Sequence, residues 1–129
     1  MIRTVLVVVV GFVVWFIVAT LGNFLIRVLL PGYAAVELSM AFTLAMLIAR
    51  LLLGFVSSFV AGLASSAVAQ GKPAAVHVFA AVLLLFFLVI HFNLWSKFPL
   101  WYHVAFLGSV APLALLGAAA QRRMHPSAR

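Results

Sequence analysis

The chain has 129 residues, of which 68% are hydrophobic and 7% charged, and it contains no cysteine. Soluble domains carry about 25% charged residues, so a water-soluble fold is excluded, as are disulfides, thiolate nucleophiles and cysteine metal sites. The net charge is +7 with a single acid, Glu37; the basic residues flank apolar runs, which points to lipid phosphates as neighbours and not to nucleic acid.

Four stretches without a formal charge, 4–26, 51–71, 73–96 and 98–121, run 21 to 24 residues each. A helix rising about 1.5 Å per residue crosses a hydrocarbon core of about 30 Å in about 20 residues. The pattern therefore predicts an all-α integral membrane protein, an antiparallel bundle of four transmembrane helices over about 4–29, 38–70, 74–95 and 99–121. Residues 1–121 form one domain, and 122–129 form a basic, flexible tail.

Helix 1 follows Met1-Ile2-Arg3 and is too long for the apolar region of a cleaved signal, so it is expected to be retained. Pro31-Gly32 ends it. Helix 2 falls within 38–70 and carries Gly54, Ser58, Gly62 and Ser66 at every fourth position. This ridge of small side chains suits close helix packing, either inside the bundle or against a second copy. Arg50 lies on the same ridge. If the span is about 40–60, Arg50 sits near mid-membrane and needs a partner; if it is about 48–68, Arg50 snorkels at the interface and 38–47 becomes a protruding or membrane-lying extension.

Gly71-Lys72-Pro73 turns the chain into helix 3, and Ser96-Lys97-Phe98-Pro99 turns it into helix 4, which contains Pro112. Four spans place Arg3, Lys72, Arg122, Arg123 and Arg129 on one face, against Arg27 and Lys97 on the other. By the positive-inside rule both termini are expected in the cytoplasm, in the inner (plasma) membrane. Tyr33, Trp95, Trp101 and Tyr102 fall on the opposite face as interfacial anchors, while Trp15 stands apart in the middle of helix 1.

His91 and His103 each lie one turn inside the outer ends of helices joined by a short turn, so they are expected near each other. His77 is about 21 Å from His91 along helix 3. Asn23, Arg27, Arg50, His91, Asn93 and His103 form a candidate polar cluster in the outer half, with Glu37 at its rim. Its chemistry suits a small polar solute, or a haem or quinone at the two histidines; neither cofactor is the primary expectation, and no metal site is. There is no paired acid, no H-E-x-x-H and no phosphate loop, and no acid within a span, so no enzymatic activity is expected. The favoured role is a non-enzymatic accessory or homo-oligomeric bundle acting through helix packing, in contact with the bilayer and with itself or another membrane protein. The alternatives are a carrier or channel using the polar cluster, and a redox subunit.

Overall fold

Helical segments set by bilayer thickness account for nearly all of the computed structural model, which describes residues 1–126. α1 is Ile2–Leu29, α2 is the single turn Tyr33–Val36, α3 is Leu44–Ala69, α4 is Pro73–Asn93 and α5 is Leu100–Met124, with a 3-10 turn at Trp95–Lys97. The four long helices are each apolar and long enough to cross a membrane. The protein is thus a multi-pass membrane protein built as a four-helix bundle.

The ends follow local chemistry. Gln70 and Gly71 both take the left-handed conformation (φ 48° and 79°), which stops α3, and Pro73 opens α4 where no amide donor is needed. The expected helix over 38–70 starts later, at Leu44. Met40 is left-handed (φ 58°), and Thr43 caps α3 by accepting from the Met46 amide at 3.3 Å. Residues 38–43 are therefore neither helix nor a protruding extension. They fold over the bundle end, where Phe42 stacks between Tyr33 (5.3 Å) and Phe98 (6.2 Å). At the other end α5 runs on to Met124, so Arg122 and Arg123 are helical where a loose tail was expected. Arg129 lies outside the described residues.

α3 packs between α1 and α5, and α4 closes the bundle against both. Gly54, Ser58, Gly62 and Ser66 are all buried, so the ridge is spent within the chain and offers no face to a second copy. Lipid provides no hydrophobic drive for helix association, so contact depends on close approach and interhelical hydrogen bonds. At Gly62 a methyl group would run into the Ala114 carbonyl, and at Gly117 into that of Phe59. The hydroxyl of Ser58 accepts from Trp15 Nε1 at 3.0 Å and donates to the Gly54 carbonyl at 2.8 Å. The polar end of Trp15 is satisfied there, which explains how it sits in mid-helix. Ser65 donates to the Val7 carbonyl at 3.3 Å.

α4 contributes bulk to the core. Phe79 meets Phe12 edge-on at 6.0 Å, and Phe87 lies 4.6 Å from Trp15 and 5.0 Å from Phe106. The opposite faces expose Leu21, Phe24, Leu85, Val89, Val104 and Leu116, as hydrocarbon contact requires.

Gly62→Ala should lower bundle stability by about 1–3 kcal/mol, because a backbone carbonyl cannot move aside. Gly108→Ala, with open space around it, should keep stability or raise it by up to about 1 kcal/mol, the helix preference of Ala over Gly. Thermal unfolding in detergent, followed by size exclusion, checks both.

Candidate functional site

α1 is buried at Val7, Gly11 and Trp15, but at no residue beyond Trp15. Its aromatic contact with α4 runs out at Phe16 and Phe86, 5.8 Å apart. Above them the short side chains of Ala19 and Thr20 leave a gap towards Ile90 and Leu94. α1 stays close to α3, where Gly22 abuts Leu53. The result is a cavity of about 460 Å³ at the bundle end remote from the termini. It is open between α1 and α4, and floored by Trp15, Phe87 and Phe106.

Arg50 stands on its wall. Six residues into α3, it lies about 9 Å beyond the helix start, between the two depths that the sequence allows. Its Nη1 donates to the Tyr33 hydroxyl at 2.7 Å. Its guanidinium carbon sits 4.7 Å from the Phe42 ring centroid, a cation–π contact. Its Nε is buried without a hydrogen-bond partner. The chain's one acidic side chain is engaged elsewhere: Glu37 pairs with Arg27 through two hydrogen bonds, Nε to Oε1 and Nη2 to Oε2, the second at 2.8 Å. Asn23 links the two groups, accepting from Tyr33 at 2.6 Å and donating to Glu37 at 3.4 Å. The network runs Arg50, Tyr33, Asn23, Glu37, Arg27, with two positive charges against one negative.

His91 and His103 are brought together, Nδ1 to Nδ1, at 2.8 Å, and both are buried. One proton arrangement satisfies these contacts when both rings are neutral. His103 Nε2 faces the Trp95 carbonyl at 3.1 Å, and a carbonyl only accepts, so that nitrogen carries hydrogen. With His103 neutral, its Nδ1 is a lone pair and His91 Nδ1 must donate to it. His91 Nε2 is then left as an acceptor. An iron bound by both rings would need its two nitrogens about 4 Å apart on opposite faces of a macrocycle. In the arrangement seen, both Nδ1 atoms meet each other and His103 Nε2 meets the Trp95 carbonyl, which leaves His91 Nε2 as the free ring nitrogen of the pair.

Several sequence expectations change. Tyr33 and Tyr102 are not interfacial anchors. Both are buried, because the turn after α1 and the first turn of α5 point them inward around Arg50. Trp95 and Trp101 remain half-exposed at the bundle end. Asn93 is outside the cavity, its amide returning to the Val89 carbonyl at 2.8 Å. His103 lies behind His91 and off the cavity wall. His77 is exposed beside the Pro73 carbonyl at 2.9 Å. Sequence reasoning missed Phe42 as a cover over Arg50; a lone aromatic in an irregular segment has no periodicity to give it away. Among the described residues no group of three or more His, Cys, Asp or Glu side chains is placed to hold a metal.

Compared with known proteins, the chain matches no family model, no curated protein and no solved structure. The class that the fold defines is a small all-helical membrane protein with a cavity, lined by apolar and basic side chains, at the end opposite its termini.

Glu37 lies outside the spanning helices. Hydrogen bonding from Arg27 holds its carboxyl below the usual value of 4.5 against the opposing effect of partial burial, and the Asn23 amide and the charges of Arg27 and Arg50 act in the same sense as the hydrogen bond. A depressed folded pKa contributes stability above the unfolded value and loses it as pH falls through the folded one. Hydrogen exchange over residues 30–43 should therefore accelerate as pH drops from about 5 to about 3, beyond its intrinsic pH dependence. Glu37→Gln should remove that dependence.

Proposed function

We propose that this protein holds a membrane-borne amphiphile, its oxygen-bearing head against Arg50 and its apolar portion in the gap between α1 and α4. The observation that carries this reading is a half-buried guanidinium on a cavity wall, held by the Tyr33 hydroxyl and with no carboxylate of its own. A charge within a spanning helix is costly, and an acceptor from outside the chain would offset part of that cost. The acceptor at His91 Nε2 adds a complement for a hydroxyl. The head groups that suit are a carboxylate, a phosphate, or a quinone and its quinol. The volume falls within the range of about 300–1,000 Å³ usual for small-ligand pockets.

Binding fits better than passage, because the rings of Trp15, Phe87 and Phe106 floor the cavity. The role is non-enzymatic, and the accessory or homo-oligomeric bundle favoured from the sequence loses its main motive now that the small-residue ridge is consumed inside the chain. We place the protein in the plasma (inner) membrane with both termini cytoplasmic. Among the described residues Arg3, Lys72, Arg122 and Arg123 mark the termini end, against Arg27 and Lys97 opposite, in the sense of the positive-inside rule.

Titration of the detergent-solubilised protein with a fluorescent fatty acid and with a short-tailed benzoquinone tests the reading. At least one should bind saturably at one per chain. Arg50→Gln should weaken it by about tenfold to a hundredfold, the worth of a hydrogen bond to a charged group. Ala19→Trp, which fills the gap without touching Arg50, should weaken it too. Absence of saturable binding, together with no amphiphile co-purifying from native membranes, would remove the proposal.

A further inference from the structure

At the termini end a second cavity of about 330 Å³ lies where the turn between α3 and α4 meets the last turns of α5. Lys72, Arg122 and His125 line it, and Gln121 and Ser66 form its base. The three basic side chains come from two separate parts of the chain, so the fold assembles them. The only acidic side chain, Glu37, belongs to the other end of the bundle. Arg122 is held on a helix, which fixes its direction in a way that a loose tail would not.

Gln121 supplies an independent sign of a ligand. It is 9% exposed, and its Oε1 accepts from Ser66 at 3.1 Å. Its amide nitrogen makes no hydrogen bond among the described residues, and the residue lines the cavity. The opening turn of α4 adds little, since Pro73 has no amide hydrogen and the Ala75 amide donates to the Lys72 carbonyl at 3.1 Å. α3 and α5 end at the same level with their carbonyls, so selection for an anion rests on the charged side chains and not on helix dipoles.

We propose that this cavity binds a phosphate group, through Lys72 and Arg122 with the Gln121 amide as third donor. A guanidinium and an ammonium converging with a neutral donor suit a tetrahedral oxyanion. A basic pocket between spanning helices at headgroup level is also where an anionic phospholipid is found in reach. The phosphate can come from two sources, the diester of a lipid headgroup or a soluble phosphate ester, and the chemistry of recognition is shared.

The full chain is purified in mild detergent and examined in two arms. In the first, it is exchanged into bilayer discs of phosphatidylcholine with phosphatidylglycerol, recovered, and the retained phosphatidylglycerol is counted by native mass spectrometry. In the second, glycerol phosphate is titrated into lipid-free micelles and followed by phosphorus NMR. Retained lipid, or saturable binding of glycerol phosphate, supports the site, and the arm that responds names the source. Arg122→Ala and Lys72→Ala should each reduce the response about fivefold, the effect of one basic residue near a phosphate, and Arg122→Lys should restore much of it. Arg123→Ala removes the same charge from a residue that does not line the cavity, and should change the response little. Equal losses for Arg122→Ala and Arg123→Ala would mean diffuse surface charge and would overturn the proposal, as would silence in both arms. Arg50→Gln should leave this response intact, so failure here and failure of the amphiphile site are separate results.

Discussion

Close approach of α3 to its neighbours is the constraint from which the remainder follows. Its small residues let the Ala114 carbonyl sit where a side chain would otherwise be, and they bring hydroxyls within bonding range of α1 and α5. In hydrocarbon these contacts replace the hydrophobic drive that assembles soluble bundles. Once α3 is clamped on two sides, the position of Arg50 above Gly54 is fixed, and so is the wall that it forms. α1, held to α3 along its length, meets α4 through a run of aromatic contacts. Those end at Phe16 and Phe86, and the cavity begins where they stop.

Electrostatics then divides the molecule unequally. A single carboxylate serves a chain with net charge +7. The structure spends it on Arg27, at the surface, where Asn23 and Tyr33 connect it through neutral groups to Arg50. Arg50 itself is stabilised by a phenol and an aromatic face and by no counter-ion. That is an incomplete solution for a charge within the bundle, and incompleteness of this kind is characteristic of positions meant to meet another molecule.

The spans were legible in the sequence because bilayer thickness imposes a length that charge spacing reports directly. Asn23, Arg27, Arg50 and His91 were also legible as one cluster, since helical periodicity and depth suffice to place them, and all four line the cavity. Asn93 shared their depth but not their direction, and depth alone does not fix a face. The ridge from Gly54 to Ser66 was visible as a pattern, but a pattern of small residues names no partner; that choice lies in the complementary shape of α5, with Gly117 and Ala114. Tyr33 and Phe42 were illegible as site residues because they belong to the irregular stretch 30–43. Its course depends on the left-handed turns at Gly32 and Met40 and on the Thr43 cap, and no repeat in the sequence encodes it.

The stretch between α1 and α3 also bears on how the proposed guest would arrive. Phe42, stacked on Tyr33 and Phe98, covers Arg50, and entry through the gap between α1 and α4 would be from among the acyl chains. Occupancy would then track the mole fraction of a compound among the lipids, in two dimensions, and would respond to its dissolved concentration only through partitioning.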